Sequence, residues 1–259
     1  MSKESTPLID IPELPPSVDN AVKNLTDKPT QAMGTTFSDI WYLVFGGISY
    51  LSEKKKIKYA HNLEQYRIQL ESAIDQIPTE KRIEPSVQTT AQALENSKYC
   101  VEEETLRNMF TSLISNSMNS DYEKDIHPSF AEIIKQMSSM DAEVIKVFKN
   151  SPSNGYALCR YEIKENGSYR TLMDNVFLKY PTPNLATCSI SISSLARLGL
   201  LKTSYEDYLI GDNLYTAFTE HYWFKRLQQE FPNKNVAIQK GLVHLTPLGR
   251  AFTRVCIPD

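Results

Sequence analysis

The stretch that decides the fold reads LRNMFTSLISNSMN at residues 106–119 and resumes as IHPSFAEIIKQMSSMDAEVIKVF at residues 126–148. In its first part the large apolar side chains recur three or four positions apart: Leu106, Met109, Phe110, Leu113 and Ile114. That period places them all on one face of a helix. We therefore expect a helix here, with its apolar face buried.

The second part of the stretch predicts two further helices. Pro128 suits a first helical position, because the N–H that proline lacks has no partner there. Phe130 and Ile133 begin another apolar stripe, and Ser138 precedes Asp141 at the spacing of a capping box. The expected result is three linked helices that share one buried face. Each large side chain buried there would stabilise the fold by roughly 1.5–3 kcal/mol.

Composition limits the class of protein and the compartment. A hydrophobic content of 41% in 259 residues is that of a soluble globular protein, and a net charge of −3 gives no global attraction to nucleic acid. The four cysteines form no C-x-x-C pair, and residues 1–17 contain no apolar core of signal-peptide length. We expect a cytoplasmic protein with free thiols and no metal or other cofactor.

The sequence divides into a tail, a helical part and a mixed part. Residues 1–35 are polar and rich in proline, which predicts a flexible tail, and residues 36–138 predict a helical domain. Heptad-like apolar spacing over residues 59–77 indicates a long helix within it. Residues 37–51 are very apolar, but a membrane span needs roughly 20 such residues. A packing role is therefore favoured over membrane contact, which stays open.

Residues 139–259 predict a winged-helix-like domain with a helical insertion at residues 205–231. Asn166-Gly167 predicts a β-hairpin, since both residues tolerate positive φ. Further on, VAIQKGLVHL at residues 236–245 suggests a second, small hairpin about residues 239–241, and Thr246-Pro247 marks the start of a last helix. The predicted fold is mainly α: an N-terminal helical bundle plus a C-terminal winged-helix-like α+β module.

A winged-helix interpretation makes residues 186–198 the recognition helix. Its outer face would offer short hydroxyls and one cation to phosphates and bases, with Lys240 nearby. The predicted nucleic-acid-binding residues are Ser189, Ser191, Ser193, Ser194, Arg197 and Lys240. Arg197 is the only charge on that helix, whereas phosphate binding normally needs several cations. DNA binding is therefore an alternative rather than the main prediction.

Catalytic signals are weak along the whole sequence. The four histidines lie in different segments, and no G-x-S-x-G, Walker A or G-x-G-x-x-G pattern occurs. The sequence therefore predicts a protein that is not an enzyme and that has no catalytic residues.

Several phrases together resemble the Abi-alpha family of bacterial abortive-infection proteins. They run in order over most of residues 57–257: RIEP at 82–85, the two parts of the stretch quoted above, SLARLGLL at 194–201 and GLVHLTPLGRAFTRVC at 241–256. The resemblance implies a role in phage defence, and it brings no active site. We expect action by binding an unknown phage or host macromolecule. Alternatives are a winged-helix DNA-binding regulator and a membrane-disrupting effector acting through residues 37–51. The sequence also leaves a homo-oligomer open.

Overall fold

The computed structural model describes residues 34–45, 53–153, 155–165, 167–181, 184–211 and 213–258. Within these ranges, ten α-helices and a four-stranded antiparallel sheet form a mixed α+β protein. Most of the predicted tail, residues 1–33, lies outside the described part. The division at residue 138 and the bundle and winged-helix arrangements stay predictions.

Helices account for the first part of the described chain. They are α1 (Gly34–Phe45), α2 (Glu53–Asp75), α3 (Val87–Ser97), α4 (Glu104–Asn116), α5 (Phe130–Lys135) and α6 (Ser139–Lys146), with a 3-10 turn at Thr79–Lys81. Helix α1 packs on α3, and α2 packs on α4. The apolar stripe of α4 is buried, as predicted.

The three helices of the deciding stretch are confirmed as α4, α5 and α6, with one difference at a boundary. The capping box of α6 is present, because Ser138 accepts from the Asp141 N–H while Asp141 accepts from the Ser138 N–H. The prediction that Pro128 begins a helix is wrong: α5 begins at Phe130. The His127 ring accepts the Ser129 N–H at 3.2 Å, which holds a turn before the helix.

The sheet consists of β1 (Tyr156–Glu165), β2 (Ser168–Val176), β3 (Leu201–Ser204) and β4 (Asn235–Leu245), in the order β2-β1-β4-β3. The hairpin predicted from Asn166-Gly167 is confirmed: Glu165 pairs with Ser168, and Gly167 has a φ of 79°. Asn166 itself is outside the described residues.

The second predicted hairpin is wrong, because residues 235–245 form a single long strand. Strand β4 pairs with β1 over most of its length and with β3 at its end. Gly241 does not form a turn. It allows residues 204 and 205 to approach the backbone of β4 closely. A Cβ there would lie only 2.4 Å from the Ser204 carbonyl oxygen and 2.8 Å from the Tyr205 ring. The sheet therefore carries its longest strand at its centre.

Four more helices cover the two faces of the sheet: α7 (Leu185–Arg197), α8 (Thr216–Glu220), α9 (Tyr222–Glu230) and α10 (Pro247–Cys256). Leu158 and Val243 face the main core, which α7, α10 and the early helices share. Tyr161 faces a smaller core that Phe218 and Phe224 of α8 and α9 complete. The predicted helical insertion thus closes the second face of the sheet.

Helix α1 buries Phe37, Trp41 and Phe45 of its apolar segment, whereas Tyr42 is exposed. Trp41 is fully buried and lies 5.8 Å from the Tyr66 ring of α2, between centroids. Leu43 is 82% exposed on the opposite side. The predicted packing role is therefore seen for residues 37–45, while residues 46–51 are outside the described part. No helix among the described residues has the length and apolarity to cross a membrane.

Candidate functional site

The helix predicted at residues 186–198 is present as α7, and fewer of its residues are exposed than the sequence suggested. The exposed side chains are Ala186, Ile190, Ser193 and Arg197, which recur four, three and four positions apart. Ser191 is only 1% exposed, so its predicted place on the outer face is wrong. It lies beside Ile192 on the buried side, where the helical period carries it into the core.

The remaining serines of α7 use their hydroxyls inside the protein. The Ser189 hydroxyl donates to the Asp174 carbonyl at 2.6 Å, and the Ser193 hydroxyl donates to the Ser189 carbonyl at 3.0 Å. The Ser194 hydroxyl donates to the Asp141 carboxylate at 3.1 Å. Their rotamers are therefore fixed. A ligand would have to break these bonds to use the same hydrogen atoms.

The two predicted cations do not meet. Arg197 Nη1 donates to the Gln136 amide oxygen at 3.2 Å, at the end of α7. Lys240 lies over the rings of Tyr208 and Tyr215, with its ammonium nitrogen 5.7 and 5.2 Å from their centroids. It pairs with Cys159 in the sheet, and successive side chains of a strand point to opposite faces. Lys240 therefore faces the smaller core, across the sheet from α7.

A polar cluster that the sequence did not predict joins α7 to the sheet. We call it the Asp174 network, and its members are Arg160, Asp174, Asn175, Ser189, Ser193 and Tyr205. The Tyr205 hydroxyl and Arg160 Nε donate to the Asp174 carboxylate at 2.7 and 3.1 Å. The Asn175 side chain donates to the Ser193 hydroxyl at 2.9 Å. The Arg160 guanidinium lies 4.2 Å from the centroid of the Tyr205 ring.

The electrostatics of the Asp174 network follow from these contacts. Burial acts to raise the pKa of the Asp174 carboxyl, but the hydrogen bonds from Tyr205 and Arg160 outweigh it and hold the pKa below its ordinary value. Burial and the hydrogen bond to Asp174 raise the pKa of the Tyr205 hydroxyl. These shifts favour a charged Asp174, which forms an ion pair with Arg160, and a neutral Tyr205.

The backbone at Asn175 gives one signal that could have suggested this site. Asn175 has a φ of 48°, and the pairing of β1 with β2 shifts register beside it. Such a bulge redirects side chains at the end of a strand. The Asp-Asn pair in the sequence is compatible with positive φ. It does not identify Arg160 or Tyr205 as partners, because Arg160 lies on β1 and Tyr205 follows β3.

The described residues contain no assembled site for metal binding or for thiol chemistry. No group of three or more histidine, cysteine or acidic side chains there could hold a metal ion. All four cysteines are free and buried. Burial raises the pKa of the Cys188 thiol to about 11, which disfavours the reactive thiolate.

A family model described as "Abortive infection alpha" matches residues 58–256, which is most of the chain. The chain belongs to the abortive infection alpha family. Membership connects this Abi-alpha protein with abortive-infection phage defence. The segments that suggested the family from the sequence all fall inside the matched range, as do the Asp174 network and α7, whereas α1 lies before it. No curated protein matches the chain, and no solved structure matches it.

Proposed function

We propose that this Abi-alpha protein acts in phage defence by binding another macromolecule, without catalysing a reaction, through the outer face of α7. The observation that carries the proposal is Ile190, which is 68% exposed in the middle of that face. Its side chain is accessible to a partner, and the helix that carries it is held to the sheet by the hydrogen bond from Ser189 to Asp174.

The surroundings of Ile190 favour a protein partner over DNA. Ser189 and Ser193 are fixed by hydrogen bonds to backbone carbonyls, and the Asp174 network braces the helix from the sheet. A surface that is fixed before binding loses little side-chain entropy when a partner docks. Arg197 is the one charged residue of α7, so the helix offers little attraction to phosphates. Binding in the cytoplasm is compatible with the four free cysteines.

A plating assay with matched isoleucine variants tests this proposal. We expect expression of the wild-type chain in a phage-sensitive bacterium to reduce plaque numbers, and Ile190→Asp to abolish the reduction. Ile210→Asp is the control, because Ile210 is 94% exposed on the insertion, away from α7. Protection by Ile190→Asp at wild-type level would place the binding surface elsewhere. Unchanged plating by the wild type across a broad phage panel would remove the defence role.

DNA binding by a winged helix-turn-helix is the first alternative. Its support is the order of elements, in which α7 is followed by β3 and, after the insertion, by β4, which pairs with β3. A gel shift on genomic and random DNA at two salt concentrations separates the two functions. Salt-sensitive binding that Arg197→Ala weakens, and that Arg226→Ala leaves intact, would favour DNA.

Membrane disruption by residues 37–51 is the second alternative. Its support is the apolar outer side of α1, where Leu43 and Tyr42 are 82% and 53% exposed, beside a fully buried Trp41. Leakage of dye from vesicles caused by a peptide of residues 37–51, and absent for an Ile48→Asp peptide, would favour this effector mechanism. An inactive wild-type peptide would exclude it.

A further inference from the structure

Two adjoining cavities lie beside the last helix, α10. The smaller has a volume of about 330 Å³ and is lined by residues 149–153, by Leu245 and by one side of α10. The larger has a volume of about 740 Å³ and is lined mainly by α2 and α4. Lys149 and Arg254 line both, so the cavities meet at these two side chains. We call the smaller one the cation cavity and the larger one the amide cavity.

The charged side chains around the cation cavity all have the same sign. They are Lys149, Arg250 and Arg254, and no acidic side chain of the described residues lines either cavity. Arg254 is paired with Asp125, which lies outside the lining. The whole chain carries a net charge of −3, so this positive cluster is a local feature. Cations that converge on one concave space attract an anion to it.

Backbone carbonyls hold two of these cations in place. Arg250 Nη1 donates to the Leu245 carbonyl at 2.9 Å, and Lys149 Nζ donates to the Ile257 carbonyl at 2.8 Å. A carbonyl has no net charge, so such a bond orients a cation without neutralising it. Arg250 forms no ion pair within the described part of the chain. Because a guanidinium has five N–H groups, Arg250 keeps donors for a ligand.

The chemistry of the cation cavity suits a phosphate group. A guanidinium can donate two parallel hydrogen bonds to phosphate oxygens, and a lysine adds a point charge. Ser151 and Ser153 also line the cavity, and neither hydroxyl is hydrogen-bonded to a described residue. These donors could serve the remaining oxygens of a phosphate, whereas a carboxylate has only two oxygens to offer.

The amide cavity has the lining that a nucleobase needs. Ser72 and Gln76 of α2 and Asn108 and Ser112 of α4 line it, and none of these side chains is hydrogen-bonded to a described residue. Each pair is four positions apart, so its members share one face of their helix. Amides supply both donors and acceptors, and apolar side chains such as Ile68 complete the lining. A base has hydrogen-bonding edges and apolar faces, whereas a sugar is polar all round.

We propose that the two cavities bind a nucleoside monophosphate, with its phosphate beside Arg250 in the cation cavity and its base in the amide cavity. Both volumes are within the range of small-molecule sites. A single-stranded nucleic acid is disfavoured, because Tyr122 is the one aromatic residue in the described lining and strand binding stacks successive bases on several rings. No residue of α7 lines either cavity, so this site is independent of the proposed docking face.

The test titrates the purified full-length chain by calorimetry with AMP, GMP, CMP and UMP, with their nucleosides and with ribose 5-phosphate. We expect saturable binding of at least one monophosphate. Its nucleoside, which lacks the charge, and ribose 5-phosphate, which lacks the base, should each bind at least about tenfold more weakly. The proposal is overturned if none of the four monophosphates binds, or if the nucleoside or ribose 5-phosphate binds equally well. Tighter binding of a 5′-phosphorylated oligonucleotide than of any monophosphate also overturns it, in favour of a strand-binding surface.

Three variants and a control connect the binding with the two cavities. Arg250→Leu removes a cation and should weaken monophosphate binding at least about tenfold. Ser153→Glu adds a negative charge from an exposed loop position, so it tests the same cavity if Arg250→Leu does not fold, and it should abolish binding. Asn108→Leu removes an amide and should weaken binding several-fold. Arg226→Leu, an exposed arginine outside both cavities, should bind as the wild type does. Wild-type affinity in a folded Arg250→Leu or Ser153→Glu protein overturns the proposal.

Discussion

At the scale of single residues, Asp174 makes the stability of the protein depend on pH. The hydrogen bonds from Tyr205 and Arg160 hold its pKa below the ordinary value despite burial. A lowered folded-state pKa gives stability that is present above the unfolded value, about 3.9, and is lost as pH falls through the folded value. We expect Asp174→Asn to lower the free energy of unfolding at pH 7, and the difference from the wild type to shrink as pH falls below about 4. Urea unfolding of the wild type and the variant at pH 7 and at a pH below about 4 measures the two differences in free energy, with Glu123→Gln as the control. A difference that is the same at both pH values would mean that the lost contacts do not depend on the charge of Asp174.

Gly241 is the residue at which a single methyl group should be most informative. A Cβ at this position would lie 2.4 Å from the Ser204 carbonyl oxygen, which belongs to a paired strand and cannot move freely. We expect Gly241→Ala to destabilise the fold by about 1–3 kcal/mol, as overpacking does. Gly167→Ala is the comparison, because a Cβ at Gly167 meets nothing within 4 Å and only its positive φ opposes the change. Thermal unfolding of the two variants should therefore show the larger loss for Gly241→Ala. A larger loss of stability for Gly167→Ala would show that β3 can shift to accommodate the added methyl group on β4.

At the scale of elements, the sequence predicted the helices and turns that depend on contacts between residues close in sequence. The apolar period of residues 106–114 and the Asn-Gly turn predicted α4 and the β1–β2 hairpin, because each depends on contacts close in sequence. Strand β4 was predicted as a hairpin because Gly241 interrupts its pattern. Gly241 is required instead by the close approach of Ser204 at the end of β3, and the helical insertion at residues 205–231 separates the two strands in sequence. A sequence pattern does not state which distant backbone approaches a glycine.

Helix α1 should be held by its aromatic side alone. Trp41 is fully buried against Tyr66, whereas Leu43 is 82% exposed. We expect Trp41→Ala to lower the free energy of unfolding by about 3–5 kcal/mol, and Leu43→Ala to change it by less than about 0.5 kcal/mol. Urea unfolding followed by circular dichroism measures both. A large loss for Leu43→Ala, with a midpoint that depends on protein concentration, would show that a second copy covers this side of α1.

At the scale of the whole molecule, the candidate site escaped prediction because its residues are assembled from distant segments. The sequence suggested Ser189 and Arg197 correctly as members of one helix, but it could not show that Ser189 bonds to the end of β2. Glu162 appeared as an ordinary charge in an alternating strand. The structure shows that Glu162 is only 2% exposed and forms an ion pair with Lys164.

The same long-range packing bears on whether the chain unfolds in one step or two. One core contains residues of α1, α4 and α6 together with residues of α7 and α10, and Asn116 of α4 donates to the Val255 carbonyl at 2.8 Å. Such shared burial predicts a single cooperative transition.

The chain has two tryptophans, Trp41 in the helical part and Trp223 in the insertion, so Trp41→Phe and Trp223→Phe each leave one fluorescent probe. Each variant is unfolded in urea and followed by both fluorescence and circular dichroism. Because both signals come from the same variant, a loss of stability caused by the substitution affects both transitions equally. We expect the two signals to coincide in both variants, because α9 closes the smaller core on a sheet whose other face belongs to the main core. A fluorescence transition of Trp223 that precedes the circular-dichroism transition would instead show that the insertion opens first, and it would support a separate C-terminal module.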